Sequence, residues 1–186
     1  MEIIEENYTH NYLWRTAQTL KRCECSQRDR FYLDLSALLM AYLALEAFVN
    51  FLGNIICPEL WDDEKEAFRG QGDTIEAKIG AIAKACQFKW KKGERPYQDI
   101  KKLKKFRDSM VHGRVQASRY ATQEREDGTH LRWNHTFYAF AKPSEVQKSM
   151  ESIEAFCQSL LDEAQKHPHH GYLQSKAFSG LLGLAS

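Results

Sequence analysis

The stretch Leu35-Ser-Ala-Leu-Leu-Met-Ala-Tyr-Leu-Ala-Leu-Glu-Ala-Phe-Val-Asn-Phe-Leu-Gly-Asn-Ile-Ile-Cys57 is the most apolar part of the chain. It is long enough to tempt a membrane reading, but Glu46, Asn50 and Asn54 interrupt it. The three recur at i, i+4 and i+8, one stripe of a helix. We read a buried core helix, not a span. A helix apolar on nearly every side must be covered by others, which sets the fold class.

Working outward from that helix, a first helix is expected at about 3–22, with Ile4, Tyr8, Leu13 and Trp14 among its apolar positions. The polar link Ser26-Gln-Arg-Asp-Arg30 leads into the core helix, which runs to about Asn54 and is stopped by Pro58. Residues 58–72 are turn-rich, with room for a short helical turn. Asp73 and Glu76 read as an N-cap and its third-position carboxylate, opening a helix striped by Ile75, Ile79, Ile82 and Cys86. Gly93 ends it, and Pro96 suits the first turn of the next. There Tyr97, Ile100, Leu103, Phe106 and Met110 form the apolar stripe, and Gly113 is placed as C-terminal cap.

The period then changes. Residues 115–122 and 131–140 read as extended, with Leu131, Trp133, His135 and Phe137 alternating against Arg132, Asn134, Thr136 and Tyr138. Asp127-Gly128 supplies a hairpin turn between them. Pro143 opens a last helix to about Lys166, with Val146, Met150, Ile153, Phe156, Leu160 and Leu161 facing inward. The expected fold is mainly α: an up-and-down bundle of about five helices at 1–166, with a β-hairpin insertion at about 115–140 between the last two. Residues 167–186 read as a C-terminal tail.

Composition sets outer bounds. With 186 residues, 43% hydrophobic and 27% charged, the chain suits one globular domain with a sizeable core. A net charge of +1 excludes a polyanion binder acting through bulk charge. Locally the balance differs: Lys84 to Arg107 holds ten Lys or Arg against only Glu94 and Asp99. Such a basic helix serves either as a solvated face or as a local phosphate site. Five cysteines, Cys23, Cys25, Cys57, Cys86 and Cys157, are an odd set lying mostly in apolar helical patterns. Free thiols in a reducing compartment fit better than a disulfide framework. The acidic start Met1-Glu-Ile-Ile-Glu-Glu-Asn7 lacks the order of a signal peptide, so a cytoplasmic location is expected.

The chemistry concentrates at Phe106-Arg-Asp-Ser-Met-Val-His-Gly-Arg-Val115. Arg107 can hold a phosphate by paired hydrogen bonds, and His112 can move protons near neutral pH. Five residues apart, they stand about 140° around the helix and do not stack. Asp108 and His112, four apart, share a face, so Asp108 can fix the imidazole tautomer. Carbonyls at the helix end favour the imidazolium. Ribonucleolytic cleavage needs a base for the 2′-hydroxyl, charge at the phosphorane and an acid for the leaving oxygen. One histidine is thin for two proton transfers, and two facing helix ends in a homodimer would supply a second set. The plainer alternative is that the same residues only cap carbonyls and form a local salt bridge.

The basic helix with its R-x4-H-G ending, the preceding greasy helix Ala41–Asn50 and the following amphipathic helix together resemble the HEPN superfamily over about residues 30–165. Arg107, Asp108 and His112 stand at the motif positions, with Asp where Asn is more frequent. The hairpin is not part of the minimal bundle. The resemblance implies a metal-independent endoribonuclease with no cofactor, acting as a homodimer with motifs at the interface. It further implies a toxin, phage-defence or RNA-processing role, with an antitoxin or nucleotidyltransferase-like protein as partner. Other members of the superfamily are non-catalytic dimerisation or ligand-binding modules, and that alternative stands.

Further candidates surround the motif. Glu46 is the one acid of the greasy helix; either Arg107 meets it or it faces solvent. Lys101, Lys102, Lys104, Lys105 and Arg114 can guide RNA phosphates. Trp133, Phe137 and Tyr138 suit hairpin packing or base stacking. His130 and His135 are ordinary strand histidines or ligand contacts. His167, His169 and His170 lack a preorganised fourth ligand, and no metal site is expected.

Overall fold

A computed structural model describes residues 8–72, 74–112, 136–169, 173 and 176–178. Eight helices are present among them: α1 (Thr9–Arg22), α2 (Gln27–Ile56), α3 (Pro58–Trp61), α4 (Glu64–Ala67), α5 (Thr74–Ala85), α6 (Tyr97–Val111), α7 (Thr136–Phe140) and α8 (Pro143–Ala164). The protein is mainly α-helical, and α2 is its axis. Ser26 caps α2, its hydroxyl accepting the Asp29 N–H at 3.2 Å and donating to the Asp29 carboxylate at 2.6 Å.

From there 30 residues run as one helix, about 45 Å. By length and composition Asp29–Ile56 could cross a membrane, its best window having mean hydropathy 1.8. It is instead packed by α1, α5, α6 and α8, and Leu38, Tyr42, Leu45, Val49 and Leu52 are buried. That covering is compatible with a soluble protein.

The other helices present the stripes their periodicity implies. Ile75, Ile79 and Ile82 of α5, Tyr97, Ile100, Leu103 and Phe106 of α6, and Val146, Ile153, Phe156 and Leu160 of α8 all enter one core. Met110 departs from the expected stripe and is 37% exposed at the end of α6. The four-residue turn 23–26 folds α1 back on α2. Arg30 secures it by donating to the carbonyls of Leu20, Lys21 and Cys23 at 2.9–3.1 Å while pairing with Asp34.

Beyond residue 167 the chain returns to the bundle. Phe178 stacks on Trp14 with centroids 4.4 Å apart, and the Ala177 N–H donates to Gln158 of α8 at 3.1 Å.

The hairpin expectation is corrected at its described end. There is no strand among the described residues, and Thr136–Phe140 is helical. Phe137 and Phe140, three apart, share a helical face and both meet Phe106, at 5.9 and 5.2 Å. Packing against α6 overrides the strand-like alternation. The expected strands at 115–122 and 131–135, the Asp127-Gly128 turn, the start of the first helix with Ile4, and the Asp73 cap lie outside the described residues.

Two helical glycines give opposite predictions. A Cβ at Gly53 would overlap the Trp61 indole, whereas one at Gly80 meets nothing within 4 Å. Gly80→Ala should stabilise by about 0.5–1 kcal/mol through helix propensity. Gly53→Ala should instead destabilise by about 1–3 kcal/mol from overpacking. Urea denaturation of both distinguishes them, and stabilisation by Gly53→Ala would remove Trp61 from its place.

His10 is buried among Phe48, Phe51 and Phe178. Burial lowers its pKa from 6.5 to about 4. Because the folded pKa is the lower one, its contribution to stability is complete above pH 6.5 and is lost as pH falls toward 4. The amplitude is on the order of 3 kcal/mol. His10→Phe should flatten that part of the pH–stability curve, and an unchanged curve would contradict the assignment.

Candidate functional site

The C-terminal half of α6 is fastened to α2 by charge. Arg107 leaves α6 toward α2 and pairs there with Glu46, while its other terminal nitrogen donates to Asp108 Oδ1 at 2.9 Å. Beneath it lies the fully buried Tyr42 ring, 5.5 Å from the guanidinium carbon. Tyr42 and Glu46 are i, i+4 on α2, so one helical stripe supplies both the aromatic floor and the carboxylate wall.

Asn50, one turn further, accepts from Lys78 of α5 at 2.7 Å, and Lys78 also reaches Glu64 at 2.5 Å. Asn54 turns back to the Asn50 carbonyl at 3.1 Å. The polar stripe through the apolar helix is thus the seam on which α5 and α6 dock.

Both members of the pair are about a quarter exposed. Burial pushes Glu46 up, with Arg107 opposing it. Burial works against the Arg107 cation, but the charges of Glu46 and Asp108 outweigh it and raise its pKa. Asp108 is lowered: burial opposes ionisation, and Lys104 at 2.8 Å together with Arg107 overcomes it.

His112 follows the last residue of α6. Its backbone N–H donates to the Asp108 carbonyl at 3.0 Å, and its side chain is exposed. Here one geometric expectation gives way. The Asp108 carboxylate is engaged by Lys104 and Arg107, and no hydrogen bond joins it to the imidazole among the described residues. Asp108 orients the arginine, because the cations on its two flanks each take one carboxylate oxygen.

The remaining candidates separate. Lys101 lies 3.8 Å from Glu76, Lys102 lies 3.6 Å from Asp99, and Lys104 takes Asp108. Lys105 is exposed and has no ion pair among the described residues. Arg114, His130, Trp133, His135 and His170 lie outside the described residues. Phe137 packs into the bundle on Phe106. His167 and His169 meet edge to face at 5.0 Å, and no three metal-binding side chains gather among the described residues.

Two participants escaped sequence reasoning. Lys78 sits inside the Ile75–Ile79–Ile82 pattern, where a lysine signals a buried acceptor nearby. Tyr42 reads as core and is core, and only the cation above it gives it a second role.

Family models, curated proteins and solved structures were all compared with this chain, and none matches it.

The Glu46–Arg107 pair should be energetically coupled. Arg107→Ala strands a partly buried carboxylate and should cost about 2 kcal/mol. Glu46→Gln should cost less, and the double variant should be more stable than the sum by about 1 kcal/mol or more. Urea melts of the four proteins at pH 7 complete the cycle, and strict additivity would mean the pair holds nothing together.

Proposed function

We propose that the protein is a metal-independent endoribonuclease of the HEPN type, working in the cytoplasm as a homodimer. The observation that carries this reading is a fixed, charged Arg107 guanidinium at the same helix end as an exposed His112. In the proposed reaction the ribose 2′-oxygen attacks the adjacent phosphorus and the P–O5′ bond breaks. A 2′,3′-cyclic phosphate and a 5′-hydroxyl result. His112 removes the 2′ proton or returns one to the leaving oxygen. Arg107 meets the charge that accumulates on the phosphorane, and because Glu46 and Asp108 already position it, little reorganisation is needed.

The second histidine comes from the other protomer. Exposed Met110 and Val111, directly before His112, offer apolar surface for that contact. An antitoxin or nucleotidyltransferase-like partner would control such an activity.

A second reading has its own observation. Arg107 is matched by two carboxylates before any substrate arrives. A guanidinium so neutralised suits a non-catalytic dimerisation or nucleotide-binding module, in which the motif only organises the helix end.

Cleavage decides between them. Purified protein incubated with mixed-sequence RNA in EDTA should release 2′,3′-cyclic phosphate ends. His112→Ala should lower the rate at least ~100-fold, the usual scale for loss of a general acid or base. Arg107→Lys, which keeps the charge but not the paired hydrogen bonds, should lower it substantially while leaving the fold intact by circular dichroism. Folded, dimeric wild type that leaves the RNA intact would favour the module.

A further inference from the structure

The ten basic residues between Lys84 and Arg107 outnumber the two acids there by eight, while the whole chain carries only +1. The remainder is therefore net negative by seven, and the positive field belongs to one region: the α5–α6 loop and α6. That loop is built rather than loose. After Gln87, at φ 57, the segment 88–91 is non-helical, and Phe88 and Trp90 alternate with Lys89 and Lys91.

Phe88 packs on Phe156 at 6.1 Å. Trp90 packs edge-on to Tyr97 at 4.4 Å and against Phe156 at 5.9 Å. The two aromatic anchors are half-buried, while Lys89 and Lys91 between and after them are exposed. Gln98 of α6 braces the loop from the other side, donating to the Lys92 carbonyl at 2.6 Å.

Beyond the loop, α6 continues the row. Lys101, Lys105, Asp108 and His112 stand at i, i+4, i+7 and i+11, within about 60° of one another around the helix. From Lys101 to His112 is about 16 Å along the axis. Lys89 and Lys105 are exposed with no ion pair among the described residues. Lys91 holds Glu94 through an exposed contact at 3.1 Å, which a phosphate can displace. Arg95 is itself exposed and reaches the buried Asp99 carboxylate at 3.3 Å, where Ser152 and Lys102 also meet that acid.

We propose that the α5–α6 loop is the docking platform for a single strand of RNA, which then runs along the Lys101–Lys105 row to His112. The charge complementarity fits a phosphate chain. A single strand is committed to because one row of cations on one helix matches one backbone, and an unpaired ribose can align its 2′-oxygen with the scissile bond. The proposal rests on the ribonuclease reading for its direction of travel, but its test is separate.

A fluorescent, fully 2′-O-methylated single strand cannot be cleaved by 2′-oxygen attack, so equilibrium binding to the full chain reads docking alone. Two triple variants lose the same net charge. Lys89→Ala/Lys91→Ala/Arg95→Ala alters the platform, and Lys65→Ala/Arg69→Ala/Lys166→Ala alters exposed cations elsewhere. The platform variant should bind at least ~10-fold more weakly, and its log Kd–log salt slope should fall by about 2. The control should bind like wild type. Lys89→Glu alone, at a residue with no ion pair among the described residues, should reproduce part of the loss without lowering Tm.

Equal losses in both triple variants would reduce the effect to net charge and overturn the platform. So would wild-type affinity in the platform variant, or no binding by wild type. Cleavage of unmodified RNA alongside unchanged docking would overturn this proposal and leave the ribonuclease standing. Docking without cleavage would do the reverse.

Discussion

Glu46 carries a carboxylate into the middle of a helix whose other faces are covered, and a charge in that position has to be met. It is met by Arg107, and that meeting aligns α6 on α2, brings the guanidinium over Tyr42 and leaves His112 at the end of the same helix. The neighbouring position repeats the device, with Asn50 receiving Lys78 from α5. Hydrophobic burial drives the bundle together but tolerates sliding of one greasy helix on another. Directional pairs on a single stripe do not, so the registers of α5 and α6 against α2 follow from two polar residues four apart, Asn50 and Glu46.

The same pairing shapes the chemistry. A guanidinium held by carboxylates on two sides is well positioned and partly neutralised at once. For catalysis the first property matters most, since a preorganised cation stabilises developing charge without moving. For simple anion binding the second matters, since an incoming phosphate competes with Glu46 and Asp108. The lysines of α6 offset this: Lys104 draws Asp108 toward itself, and the exposed Lys105 adds positive charge on the same helix.

Much of this arrangement was legible in the chain. The apolar stretch at 35–57, broken at fixed intervals by Glu46, Asn50 and Asn54, indicates a core helix with a polar seam, and the stripes of α5, α6 and α8 follow from their spacing. Arg107 as a partner for Glu46 could be entertained because a half-buried carboxylate needs a cation. What the spacing could not supply was competition. Asp108 has the right interval to reach His112, yet Lys104 has the same interval on the other side and Arg107 is adjacent, so the stronger donors prevail. Nor could alternation at 131–140 reveal that Phe137 and Phe140 would both find Phe106, which settles Thr136–Phe140 as helix. Long-range partners, not local propensity, decide such short segments.

The central claim is that Arg107, held by Glu46, and His112 act on one phosphate. The most direct measurement is a crystal structure of the protein with an uncleavable 2′-O-methyl dinucleotide. The account predicts the bridging phosphate within hydrogen-bond reach of the Arg107 guanidinium and of a His112 imidazole, from either protomer, with the Glu46 contact retained. A dinucleotide bound elsewhere, with Arg107 still closed between Glu46 and Asp108, would contradict it.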